Sequence, residues 1–133
     1  MCGICGFYNT QGHADRRILK RMNDQIIHRG PDDEGYFLKG PVGLSARRLS
    51  IIDLVTGHQP QSSESQTATI TFNGEIYNYR ELKQQLSARG MRFRTASDTE
   101  VVINLYQAYG KNFVHQLNGM FALGIYDEKT QSL

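Results

Sequence analysis

The heptapeptide MCGICGF, Met1 to Phe7, is the stretch on which the fold turns. It is short, apolar and punctuated by glycine, so it reads as a strand at the head of the chain. Its second residue is a cysteine. Initiator methionine is usually trimmed when a small residue follows, and trimming would give Cys2 a thiol and a free α-amine together. An unperturbed thiol titrates near ~8.5 and an α-amine near ~7.7–8.0, so a useful fraction of such amines is neutral at pH 7. A neutral amine beside a thiol, acting through one water, is a general base whose pKa suits the working pH. Nucleophile and base then come from one residue.

Cys2 and Cys5 also form a C-x-x-C. A structural zinc site needs about four Cys or His ligands. The histidines are His13, His28, His58 and His115, and none form an H-x₃₋₅-H pair. A redox C-x-x-C should follow a strand and open a helix, and here no strand stands before it. Cys5 reads as a small apolar residue within a strand.

Outward from the opening strand, Ile18, Leu19, Met22, Ile26 and Ile27 recur at helical spacing, predicting a helix over 15–27 that Gly30 and Pro31 stop. GYFLKG and VGLSARRLSII read as two strands, and TGHQPQSSESQ as a polar loop. TATITF alternates threonine with apolar residues, as a strand does. Asn78 with Glu81 reads as a capping pair opening a helix through Leu82 and Leu86 to Gly90. Ser97 with Glu100 repeats the device, opening a helix that presents Val102, Leu105, Tyr106 and Tyr109 on one face and stops at Gly110. GMFALGIYD, almost wholly apolar, predicts a strand buried on both faces. The result is a mixed α and β domain without repeats. The polar turn after that strand leaves it without a hairpin partner, which predicts a piece of a longer protein.

The 133 residues fit one domain with a real core. A net charge of +2 with scattered Lys and Arg argues against nucleic acid. No run approaches the ~18–20 apolar residues of a membrane span, and no charged segment leads into an apolar run as in a signal peptide. A cytoplasmic protein with reduced thiols is expected.

A thiolate attacking an amide needs donors for the oxyanion. Asn73 and Gly74 in TFNGEIYN would serve, each donor contributing about 2.7–4 kcal/mol to the transition state. The same Asn-Gly is also a strong hairpin signal. An amino-acid substrate would need a guanidinium for its carboxylate, for which Arg48 is a candidate. Its ammonium would need a carboxylate, for which Glu75 and Asp98 are candidates. Arg47 and Arg48 could equally be solvated strand charges, and Asp98 a helix cap.

The combination of MCGICGF, HRGPDDEG, RLSIIDL with GHQP, FNGEIYNYREL, SDTE and GMFALGIYD closely resembles the glutaminase domain of class II glutamine amidotransferases, in its asparagine synthetase branch. The resemblance runs from Met1 to Leu133. It implies an α+β fold of the N-terminal nucleophile hydrolase type, an αββα sandwich truncated at its C-terminal end, with residues 1–133 as an incomplete glutaminase domain. It also implies the site: Cys2 as nucleophile, Asn73 and Gly74 as oxyanion hole, Arg48 on the glutamine carboxylate, and Glu75 and Asp98 on its amino group. The backbone of Leu49, Ser50, Ile51 and Ile52 would line the pocket, while His28 and Arg29 would order a loop. No metal or cofactor is implied in this chain. ATP and Mg²⁺ belong to the synthetase domain of the parent protein, and no S-G-G-x-D-S-like pyrophosphate loop occurs here. Implied partners are L-glutamine and a synthetase domain in cis or in trans, with a homodimer left open. A non-catalytic fragment that binds glutamine or assembles with a partner is the alternative, and a thiol or metal module a third.

Overall fold

The computed structural model describes residues 2–49 and 57–133. Six strands and three helices follow in the order β1 (Gly3–Tyr8), α1 (Arg16–Asp24), β2 (Asp33–Lys39), β3 (Val42–Arg48), β4 (Gln61–Ser62), β5 (Ala68–Ile76), α2 (Tyr79–Ala88), α3 (Asp98–Tyr109) and β6 (Gly119–Asp127). A single 3₁₀ turn spans Ile27–Arg29, and a longer 3₁₀ stretch, Gly110–Gln116, follows α3. The strands form two antiparallel sheets, β1-β3-β2 and β4-β5-β6.

Side chains of a strand alternate between faces, and that rule assigns the layers. Leu19 of α1 packs on Gly43 of β3. Arg47 of the same face pairs with Asp24 at the end of α1. Val42, Leu44, Ala46 and Arg48 therefore face the other way, toward the second sheet. Val42 and Leu44 join Tyr126 of β6 and Phe37 of β2 in a small core between the sheets. On β5, Ala68, Ile70, Phe72 and Ile76 point outward into the larger core with Leu82 and Leu86 of α2 and Val101, Val102, Ile103 and Leu105 of α3. The layers are thus α1, first sheet, second sheet, then α2 with α3, which is the expected αββα order.

The alternation in TATITF comes out with a twist. Thr69 and Thr71 are each only 2% exposed, because their face lies on the first sheet and not in water. Thr71 Oγ1 donates to the Ser45 carbonyl at 3.0 Å, tying the sheets together. A buried hydroxyl of this kind is tolerated because it is hydrogen-bonded.

Several expectations need correction. The helix over 15–27 ends at Asp24, and Ile18 and Ile27 are about half exposed. Leu19 is the anchor of α1, with Asp15 as its cap accepting from the Arg17 N–H at 2.7 Å. Asn78 precedes α2 but makes no capping bond. Its amide instead donates to the Gln116 carbonyl and accepts from the Asn118 N–H, clasping the turn before β6. Ser97 does cap α3, accepting from the Glu100 N–H. The Glu100 carboxylate, however, turns to the N–H groups of Arg94 and Thr95 instead of closing a capping box. Helix α3 is not one-faced, since it is buried without a break from Thr99 to Leu105. The expected loop over 56–66, described from residue 57 onward, holds the short strand β4. Finally, β6 is not buried on both faces. It lies at the edge of its sheet among the described strands, with Met120 59% and Phe121 39% exposed.

Candidate active site

A cavity of about 150 Å³ opens where the two sheets part, at the end of β3 that follows Arg48. Cys2, Arg48, Leu49, Asn73, Gly74, Glu75 and Asp98 all line it. These residues come from β1's leading edge, the end of β3, the middle of β5 and the first turn of α3. The antiparallel pairing of β1 with β3 sets Gly3 opposite Arg47, so Cys2 and Arg48 emerge side by side. Cys2 Sγ lies 3.8 Å from the Leu49 carbonyl oxygen. Ser50, Ile51 and Ile52, expected to line the pocket, fall outside the described residues.

Cys2 and Cys5 do not act as a pair. Three residues apart in extended chain, they point to opposite faces, and Cys5 Sγ meets the Ser45 hydroxyl at 3.7 Å beneath α1. Burial pushes the Cys5 thiol up, and the Ser45 contact offsets part of that. Both thiols are free. Among the described residues no group of three or more His, Cys, Asp and Glu gathers as metal ligands do.

The alternative reading of Arg47 and Arg48 as solvated strand charges fails, and the same alternation shows why. Both are buried, so neither is a solvated strand charge. Arg47 points under α1, where it bonds Asp24 at 2.9 Å and Glu34 at 2.7 Å. Arg48 points between the sheets into the cavity.

Asn73 and Gly74 are not a hairpin turn. They sit in the interior of β5, paired with Ala122 and Phe121 of β6. Asn73 shares the inter-sheet face with Thr71, and its Oδ1 is buried without a hydrogen-bond partner among the described residues. Gly74 is required by close approach, since a Cβ there would lie 2.2 Å from the Met120 carbonyl oxygen.

Asp98 is the first residue of α3, one past the cap. Its Oδ2 accepts from the Ile76 N–H at 3.0 Å, locking the helix start to β5. Burial raises its pKa above the ordinary 3.8, with the Glu75 charge adding to that and backbone donors from Ile76 and Thr99 opposing it. Glu75 itself is exposed at the rim.

Sequence reasoning missed part of the wall: Gly57, Gln59, Phe72, Ser97, Thr99 and Met120. The GHQP and SDTE motifs contained four of them, but motif matching assigns no side-chain direction. It also left Arg29 as a loop residue. The Arg29 Nε–H donates to the Cys2 carbonyl oxygen at 3.3 Å, and the Arg29 Cβ stands 3.1 Å from where a Cβ on Gly3 would sit. The HRGPD turn therefore grips the backbone that carries the sulfur.

Two stacked antiparallel sheets between helical layers, with a cysteine at the chain's leading end in the inter-sheet cavity, define an N-terminal nucleophile hydrolase-type α+β fold. The chain is similar in structure to the allosteric regulatory enzyme of purine biosynthesis, with a TM-score of 0.57 and 31% identity over 68% of this chain and 22% of that one. Glutamine phosphoribosylpyrophosphate amidotransferase from Bacillus subtilis gives a TM-score of 0.53, also at 31% identity and with the same coverage. The family model of the glutamine amidotransferase domain matches residues 1–133, and the chain belongs to that family. Among curated proteins it is 46% identical over its whole length to asparagine synthetase [glutamine-hydrolyzing] 1 of Bacillus subtilis. It is 40% identical over 97% of its length to asparagine synthetase [glutamine-hydrolyzing] 2 of Oryza sativa. It spans 22% of the length of each of these two relatives.

Proposed function

We propose that the chain hydrolyses the side-chain amide of glutamine at Cys2, and that the ammonia serves amide transfer, most directly the synthesis of asparagine from aspartate in the parent protein. The observation that carries this reading is the convergence of Cys2, Arg48, Asn73, Gly74 and Asp98 on one small cavity. An amino acid needs a cation for its carboxylate, an anion for its ammonium and, if its amide is to be cut, donors around a nucleophile. That cavity offers all of them.

Once Met1 is removed, the Cys2 amine takes the thiol proton and the sulfur attacks the carboxamide carbon. Asn73 and the Gly74 N–H hold the oxyanion. The amine passes its proton to the departing nitrogen, which leaves as ammonia, and a γ-glutamyl thioester remains. Water then adds to the thioester, the amine relays its proton to the sulfur, and glutamate leaves. Arg48 binds the substrate carboxylate as a bidentate fork, while Asp98 and Glu75 take the ammonium. Glutamine is the proposed ligand and a synthetase domain, in cis or in trans, the proposed partner. ATP and Mg²⁺ would act there, and the relatives have the additional length for it. Among the described residues no helix is long and apolar enough to cross a membrane, and we place the protein in the cytoplasm.

Intact mass before and after exposure to a diazo-oxo-norleucine tests the reading. Loss of Met1 and a single adduct on Cys2 are expected. Retained Met1, or an unlabelled Cys2, would overturn it.

Asp98 supplies a second expectation. Its carboxyl has a folded pKa above its unfolded value, so its ionisation opposes folding. Below about pH 3.8 both states hold the proton and nothing is lost. Stability then declines as pH rises from there through the raised folded value, and the deficit persists above it. Asp98→Asn keeps an acceptor for the Ile76 N–H and removes the charge. The ligand-free variant should melt higher than the parent at pH 7, with the gain vanishing near pH 3.5 (thermal melts across pH). The same variant should bind glutamine at least about tenfold more weakly, a buried charged hydrogen bond being worth that much.

A further inference from the structure

Gln59 belongs to a polar loop, yet it is only 7% exposed and lines the cavity. Its carboxamide spans two elements. Oε1 accepts from the Phe72 N–H of β5 at 2.7 Å, and Nε2 donates to the Thr99 hydroxyl of α3 at 3.4 Å. Phe72 directly precedes Asn73, and Thr99 directly follows Asp98. The amide therefore bridges the two segments that hold the oxyanion donors and the ammonium-binding carboxylate.

The register shows why a side chain does this. Gln61 pairs with Ile70 and Ser62 with Thr69, so the next ladder partner of Phe72 would be residue 59. The strand β4 begins only at Gln61, so the backbone does not form that rung. The Gln59 side chain supplies the acceptor that the missing backbone rung would have given. Its backbone is pinned as well, since a Cβ on Gly35 of β2 would lie 1.8 Å from the Gln59 carbonyl oxygen. Beside it the Ser97 hydroxyl donates to Gln61 Oε1 at 3.5 Å, a second tie to the start of α3.

From this geometry we infer that Gln59 is a positioning residue for the glutaminase reaction, setting the separation between the Asn73–Gly74 oxyanion site and Asp98. The inference rests on the proposed glutamine hydrolysis at Cys2. Gln59 touches neither sulfur nor leaving group in this scheme. It acts through the Phe72 N–H and the Thr99 hydroxyl, so its loss affects a substrate that must engage both ends of the cavity at once. A small reagent that needs only the thiol is unaffected.

The experiment compares two electrophiles on the processed chain, with adducts located at Cys2 by peptide mass. The diazo-oxo-norleucine reads the whole pocket and iodoacetamide reads the thiol alone. For Gln59→Met, which keeps the shape and removes both hydrogen bonds, labelling by the glutamine mimic should slow at least about tenfold, as for a catalytic group misplaced by a fraction of an ångström. Iodoacetamide labelling should stay within about twofold, with the cooperative melt retained. Thr99→Val removes only the Nε2 contact and should slow the mimic about fivefold. The assignment is overturned if a folded Gln59→Met reacts with the mimic at the parental rate, or if both reagents slow in equal proportion. Should Gln59→Met not fold, an unchanged Thr99→Val overturns it and a selective loss there supports it. A parent chain whose Cys2 takes iodoacetamide but never the mimic overturns the glutaminase reading itself, and the Gln59 assignment with it.

Discussion

Cys2→Ala is expected to reduce glutamine hydrolysis by about 10⁴-fold or more while leaving glutamine binding within a few-fold of the parent. The size follows from the role. In the proposed reaction the sulfur forms a bond to substrate, and removing a covalent nucleophile costs several orders of magnitude even when the rest of a site survives. Among the described residues of the cavity, no other nucleophile stands ready to replace it. The Ser97 hydroxyl is committed to Gln61 and the Glu100 N–H, and the Thr99 hydroxyl to Gln59. Binding persists because Arg48 and Asp98 are held by elements that do not depend on the sulfur, namely β3 and the Ile76 N–H. Ammonia release together with calorimetric titration of glutamine separates the two effects. Hydrolysis within tenfold of the parent would remove Cys2 from the chemistry, and loss of binding would show that the cysteine only shapes the pocket.

Gly74→Ala carries the second largest expected effect, a fall of about 10³-fold in kcat and a loss of roughly 2–4 kcal/mol of stability. The new Cβ would lie 2.2 Å from the Met120 carbonyl oxygen, 2.6 Å from Phe121 Cα and 2.7 Å from Phe121 Cβ. Two of those atoms belong to backbone, so β6 must move away from β5 by about an ångström to restore normal contact, and overpacking of this kind costs stability. The movement also displaces the Gly74 N–H from the proposed oxyanion position, where a shift of about 1 Å is worth roughly a hundredfold. Gly90→Ala is the control. Gly90 has a φ of +88° but open space around it, so the strain of a positive φ alone should cost only about 1 kcal/mol and leave kcat unchanged. Thermal melts and steady-state ammonia release distinguish them. Equal behaviour of the two variants would show that the packing of Gly74 against β6 is not what matters.

The succession of strands and helices was legible from residue pattern alone because each signal was local. Ile70 and Phe72 alternate with Thr69 and Thr71, Ser97 stands three residues before Glu100, and Gly90 closes a run begun after Asn78. Even so, local signals misled where two structures share one chemistry. Asn73-Gly74 is good turn sequence, and only pairing with Ala122 and Phe121 keeps it extended. Gly74 is there because β6 approaches too closely for a side chain, which no neighbour in sequence reveals. GMFALGIYD is apolar enough for burial on both faces, but exposure is decided by what packs on it, and Met120 and Phe121 remain largely open.

The site divides in the same way. Residue types and their order sufficed to nominate Cys2, Arg48, Asn73, Gly74, Glu75 and Asp98, because each must offer a particular group to an amino-acid amide. Assigning Arg48 to the cavity and Arg47 to the Asp24–Glu34 pair needed the fold. Adjacent strand residues face opposite ways, and which way is inward depends on the sheet that stacks on top. The contributions of Gln59 and Arg29 were hidden for a related reason: both act across gaps closed only by tertiary packing, one from β5 to α3 and the other from the HRGPD turn to the Cys2 carbonyl. The chain's own order of residues determined which chemical groups are present and which segments bend or extend. The stacking of two sheets decided which of those groups share a cavity, since distances between residues far apart in sequence are set by packing and not by covalent connection.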